Sequence, residues 1–161
     1  PMAEYAAELK DEGLTLVDRL FDLYYQHGLY VERLESAYFL GASGFETMQS
    51  VMSELRSTPP TMLGEHVISA VIDYQSLTRR DLASGNESPV DCAKGNVIVL
   101  ELNGDYRCRV TIRPSGTEPK LKFYVQWYEK AGARENINAQ YEHAQERLEV
   151  LSKTLEGMLL R

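Results

Sequence analysis

Tyr106 to Tyr128, YRCRVTIRPSGTEPKLKFYVQWY, is the stretch that decides the fold. Its first half alternates strictly: Cys108, Val110 and Ile112 point one way, Arg107, Arg109, Thr111 and Arg113 the other. From Lys120 onward Leu121, Phe123, Val125 and Trp127 make an apolar face, and Lys122, Tyr124, Gln126 and Tyr128 a polar one. A period of two over eight or nine residues is the mark of a strand with one face on a core. The connection between the two strands is a short loop, Arg113-Pro114-Ser115-Gly116-Thr117-Glu118-Pro119-Lys120.

Working outward, Asn103-Gly104-Asp105 is a hairpin turn signal that joins a preceding strand, Asn96 to Leu102. His66 to Tyr74 reads as a further strand, and Ser76 to Gly95, with Arg79-Arg80, Gly85-Asn86 and Pro89, as a long surface loop. Leu29 to Leu40 is aromatic and β-branched, a strand or extended connection. Ser43 and Glu46 form a clear capping box for a helix carrying Phe45, Met48, Met52 and Leu55 on one face, which must stop at Pro59-Pro60. Residues 2 to 28 read as two short helices broken at Gly13, with Thr15 and Asp18 a weaker capping box for the second. A last helix spans about Asn136 to Arg161, its stripe Ile137, Tyr141, Ala144, Leu148, Leu151, Leu155 and Met158. The order predicts an α+β fold: a mostly antiparallel four-stranded sheet with helices packed on one face, preceded by a short helical segment.

Composition sets the frame for function. The chain has 161 residues, 43% hydrophobic and 25% charged, enough for one core and unlike a disordered or collagen-like sequence. No run approaches the ~20 apolar residues of a membrane span, and two cysteines, Cys92 and Cys108, form no zinc-ligand spacing. A reducing, cytoplasmic setting is expected. The net charge of −7 argues against nucleic acid and anionic membrane as partners. That average hides a reversal: Arg107 to Lys122 holds five basic residues against Glu118 alone. The first ten residues read as a helix already under way without a capping residue, as in a chain cut from something longer.

The loop is where that reversal concentrates. Two prolines stiffen it, Gly116 removes a side chain where a ligand approaches backbone N–H groups, and Ser115 and Thr117 add hydroxyls. Arg113 offers a planar fork for an oxyanion, with Lys120 and Lys122 beside it. Converging donors on a stiff loop are what a phosphate needs, although the same residues also dominate ordinary polar turns. The segment is no nucleotide P-loop, since it feeds a strand and not a helix. His27, His66 and His143 read as surface or core histidines, none catalytic, and Tyr24, Tyr25, Tyr30 and Tyr38 as packing residues.

The run Val110 to Tyr124 closely resembles the phosphate-binding loop in the last domain of the α-D-phosphohexomutases, the phosphoglucomutase/phosphomannomutase family. Leu16 to Tyr30 and Phe45 to Arg56 look like the long-form members at the junction of their third and fourth domains. The resemblance implies a TATA-binding-protein-like fold for residues 29–161, the C-terminal phosphate-binding domain, with 1–28 a helical stub from the end of the preceding domain. Arg113, Ser115, Gly116, Thr117 and, less firmly, Lys122 would grip the phosphate that is not reacting, while a phosphoserine elsewhere exchanges its phosphoryl group with a hexose monophosphate through a bisphosphorylated sugar. The family's serine, Mg2+ and sugar loops do not occur in this sequence. The implied partners are therefore a phosphosugar and the preceding domains, Mg2+ belongs to the parent enzyme, no catalytic or metal residue is expected here, and the isolated chain should be inactive. Residues 28 to 44 are the expected hinge. Glu118, a carboxylate beside an anion site, either orients Lys120, Lys122 or Arg109 or faces away. The competing reading is a free-standing anion-binding or protein-interaction module without catalysis.

Overall fold

A computed structural model describes residues 1–160; Arg161, where the last predicted helix was expected to end, lies outside the described residues. Four helices, α1 Met2–Asp11, α2 Leu16–His27, α3 Gly44–Ser57 and α4 Ile137–Leu159, accompany eight strands. The strands are β1 Leu29–Tyr38, β2 Met62–Leu63, β3 His66–Asp73, β4 Thr78–Asp81, β5 Glu87–Pro89, β6 Ile98–Leu102, β7 Asp105–Pro114 and β8 Lys120–Glu129. They hydrogen-bond in the order β1-β8-β7-β6-β3-β4-β5, with β2 added to β3, and every pairing is antiparallel. The α+β class stands, with helices α3 and α4 packed against β7, β8 and β1.

The alternation of Tyr106–Tyr128 is the burial pattern of β7 and β8. Val110, Ile112, Leu121, Phe123 and Val125 are completely buried, and α4 meets them with Ala144, Leu148, Leu151 and Leu155. Each such side chain contributes roughly 1.5–3 kcal/mol by leaving water. Their neighbours Arg109, Thr111, Tyr124 and Gln126 are only half-buried, on the opposite face.

The sheet is wider than four strands. About a third of the expected loop 76–95 is β4 and β5, an antiparallel extension of β3. Thr-Arg-Arg-Asp and Glu-Ser-Pro show no apolar alternation, so backbone pairing alone makes them strands. Of the strand or extended connection expected from Leu29 to Leu40, residues 29–38 are a strand, β1, paired to β8 at ten successive positions. A hinge cannot lie inside that ladder. Its start is tightly specified: Gly28 has φ of +94°, and a Cβ there would strike the Tyr128 ring.

The two capping boxes exchange rank. Thr15 and Asp18 form both reciprocal bonds, Asp18 N–H donating to Thr15 Oγ1 at 3.1 Å and Thr15 N–H to Asp18 Oδ2 at 2.7 Å. The Thr15 hydroxyl, donating to Asp18 Oδ2 at 2.6 Å, and the Thr15 N–H hold the Asp18 carboxyl below its ordinary pKa. Ser43 makes no side-chain cap; its φ, ψ of −89°, 7° depart from the extended backbone a capping hydroxyl needs, and only its carbonyl accepts from Thr47. Phe21 and Tyr24 of α2 rest on Tyr141 of α4, with ring centroids 5.7 and 6.1 Å away.

Candidate functional site

The register of β7 against β8 makes Arg113 and Lys122 direct Cα partners. Cross-strand partners project from the same face, so the two cations stand side by side at the mouth of the loop. Arg113 is exposed, its guanidinium carbon 5.8 Å from the Tyr124 ring centroid, and Lys122 is half-buried. Among the described residues neither has a hydrogen-bonding or carboxylate partner.

The other three cations of the basic stretch are engaged. Arg107 donates from Nε and Nη2 to Asp105 at 2.9 and 2.7 Å and lies 3.6 Å over the Tyr128 ring; the Asp105 hydrogen bond pushes its pKa above the ordinary arginine value. Arg109 Nε donates to Gln126 Oε1 at 2.7 Å, and Gln126 Nε2 donates to Glu32 at 2.6 Å. Lys120 Nζ sits 2.6 Å from Glu118 Oε2 and 3.4 Å from Tyr38 Oη; the Glu118 hydrogen bond raises its pKa. A local charge spread over five residues thus resolves into two unpartnered cations, both at the loop.

The loop itself is closed at its base and open at its tip. Ser115 N–H donates to the Lys120 carbonyl at 2.9 Å, Lys120 N–H to the Glu118 carbonyl at 2.8 Å, and Phe39 N–H to the Pro119 carbonyl at 2.8 Å. Ser115 Oγ accepts a long 3.5 Å bond from Thr117 N–H. A Cβ built on Gly116 meets nothing within 4 Å, so this residue borders open solvent on that side. Gly116 and Thr117 are exposed while Pro119 and Lys120 are half-buried. Arg113, Ser115, Gly116, Thr117 and Lys122 are thereby brought to one end of the sheet.

Three supporting residues escaped sequence reasoning. Tyr38 and Phe39 brace the loop from the end of β1, and Gly44 allows the start of α3 to pass beneath it, since a Cβ there would collide with the Phe39 carbonyl oxygen and lie 3.0 Å from Pro119 Cβ. The partners are some 80 positions apart in the chain, beyond any local pattern. One pairing was within reach: Asp105 and Arg107, like Glu118 and Lys120, are two residues apart, a spacing that shares a face in extended chain.

The histidines lie elsewhere. His66 packs on Trp127 with ring centroids 4.9 Å apart and hydrogen-bonds through Nδ1 to the Asn103 amide at 2.9 Å; burial lowers its pKa. Among the described residues no three His, Cys, Asp or Glu side chains are grouped to hold a metal ion, and no helix is long and apolar enough to cross a membrane.

No family model matches the chain. Phosphoglucomutases do match in sequence: that of Staphylococcus epidermidis is 36% identical over 124 residues, 77% of this chain and 22% of the relative. Those of Staphylococcus haemolyticus and of Staphylococcus aureus strain MRSA252 are 34% and 35% identical over 122 residues, 76% of this chain and 22% of theirs. A solved structure, pp63/parafusin (phosphoglucomutase) from Paramecium in its open form, overlaps 87% of this chain and 23% of that one at 12% identity and a TM-score of 0.45, too loose a likeness to position residues. The chain therefore spans about a fifth of the length of the curated relatives it matches. Identity of 34–36% over 122 to 124 residues makes this chain a relative of the phosphoglucomutases, the family that the Val110–Tyr124 motif resembles.

Proposed function

We propose that residues 29–161 form the C-terminal phosphate-binding domain of a phosphoglucomutase or phosphomannomutase, with residues 1–28 the end of the domain before it. The observation that carries this reading is the pairing of Arg113 with Lys122, two cations without acidic partners among the described residues, set beside an open loop tip while their basic neighbours are neutralised or hydrogen-bonded.

A phosphate monoester at neutral pH carries close to two negative charges. Arg113 can donate two parallel N–H bonds to its oxygens, Lys122 supplies the second positive charge, and the Ser115 and Thr117 hydroxyls with the Gly116 N–H complete the cage. Charge-assisted bonds of roughly 1.5–3 kcal/mol each give enough binding to hold a sugar whose other end reacts. Because these groups grip phosphate and touch little of the sugar, the same loop can hold a 1-phosphate or a 6-phosphate as the bisphosphorylated intermediate turns. The phosphoserine and the Mg2+ that the resemblance implies would be supplied outside this chain, which alone should show no mutase turnover. A phosphosugar and the preceding domains are then the partners, in the cytoplasm.

Titrating the 15N-labelled chain with glucose 6-phosphate tests the reading. Saturable shifts of the Gly116 and Thr117 amides are expected, and shifts confined to other parts of the chain, or none at all, would overturn it.

A further inference from the structure

Glu118 and Lys120 are the charged residues of the loop that take no part in gripping the anion. Glu118 puts a carboxylate two residues from the Gly116 amide, where Coulomb repulsion of an anion costs affinity. Its oxygen is committed: Oε2 lies 2.6 Å from Lys120 Nζ, and the Lys120 side chain is only 12% exposed although it stands at the loop base. The same ammonium reaches Tyr38 Oη at 3.4 Å and lies 5.1 Å from the centre of the Tyr38 ring. Tyr38 and Lys120 are in turn Cα partners at the end of the β1–β8 ladder, and the next residue, Phe39, donates its N–H to the Pro119 carbonyl. Glu118, Lys120 and Tyr38 therefore form a chain of contacts that ties the loop to the edge strand.

We propose that Glu118 is a positioning residue: its ion pair with Lys120 clamps the base of the loop onto β1, so that the Gly116 and Thr117 donors are held in place for an anion gripped by Arg113 and Lys122. The proposal rests on the phosphate-site reading. It also explains the charge at the loop. With Lys120 neutralised by Glu118, the cations that face the anion are Arg113 and Lys122, two positive charges against the two negative charges of a phosphate monoester.

The test turns on the sign of an effect. If Glu118 acts through charge alone, E118Q removes a negative charge near the anion and must tighten binding. If it acts by positioning, E118Q weakens binding. Calorimetric titration of the 161-residue chain with inorganic phosphate, and then with glucose 6-phosphate, should give an E118Q Kd at least threefold higher than that of the unsubstituted chain. K120M should weaken binding to a similar extent, and the E118Q/K120M double variant no further than the worse single, because both remove one interaction. Heteronuclear NOE values at Gly116 and Thr117 should fall in E118Q, while the melting temperature, set by the core, moves little. E118Q binding that is unchanged or tighter, with R113A binding weakened about tenfold, would overturn the positioning role and leave the phosphate site intact. No phosphate binding by the unsubstituted chain would overturn the site reading itself, and this inference with it.

Discussion

Replacing Arg113 by alanine removes a side chain that is exposed and has no hydrogen-bond or carboxylate partner among the described residues, so the substitution leaves nothing buried and unpaired. Its guanidinium lies 5.8 Å from the Tyr124 ring centroid, a contact at the outer limit of cation–π attraction. Stability should therefore move by less than ~0.5 kcal/mol, the range of surface substitutions. Binding should move far more. Two charge-assisted bonds to a phosphate at the lower limit of ~1.5 kcal/mol each give about 3 kcal/mol, and exposure to solvent and salt reduces this to about half. The remaining ~1.5 kcal/mol is roughly a tenfold rise in Kd for glucose 6-phosphate. Calorimetry at low ionic strength on the Arg113→Ala and Arg107→Ala chains measures it side by side. Arg107 is already paired with Asp105, so its loss should change Kd less than about twofold. Equal effects of the two substitutions would mean that general positive field, and not a site, binds the anion; no effect of Arg113→Ala would refute the assignment of the guanidinium. In a longer protein that contains this chain and has mutase activity, the same substitution should lower kcat/KM at least about tenfold.

The fold offers further tests. Thr15→Ala should lower the stability of α2 by about 1 kcal/mol, whereas Ser43→Ala should cost α3 less than ~0.5 kcal/mol, with amide exchange of the two helices as the measure; equal losses would contradict the observed caps. Gly28→Ala should destabilise the chain by ~1–3 kcal/mol in urea, since φ of +94° strains any side chain and Tyr128 occupies the space; an unchanged midpoint would mean the turn relaxes freely. His66 prefers its neutral form in the folded state because burial and the nearby Arg147 lower its pKa, against an opposing pull from Glu65. The unfolded chain then binds more protons between the folded value and the ordinary value of about 6.5, so stability contributed by His66 is complete above that window and is lost as pH falls through it. Melting curves from pH 7.5 to 5 should show this loss reduced in His66→Gln, and an NMR titration placing the His66 midpoint above 6.5 would reverse the sign.

Which parts of this protein can be read from its residues follows from the range over which each interaction acts. The alternation in Tyr106–Tyr128 is local and specifies two strands with Val110, Ile112, Phe123 and Val125 inside, because side chains of an extended chain leave alternately to core and solvent. The loop motif was equally local, and its resemblance to the phosphohexomutases found support in relatives 34–36% identical. The tertiary structure decided what long-range pairing decides. It made strands of Thr78–Asp81 and Glu87–Pro89, whose side chains carry no strand pattern, because β3 offered unpaired backbone groups for them to satisfy. It transferred the working cap from Ser43 to Thr15, since a cap depends on backbone angles as well as on residue type. It also divided the five cations of the basic stretch. Cross-strand register set Arg113 beside Lys122 with no acidic partner among the described residues, and β1 brought Tyr38 and Phe39 to brace the loop across some 80 residues of chain. Residue types alone could nominate an anion site; only the pairing of the strands determined which charges were left to serve it.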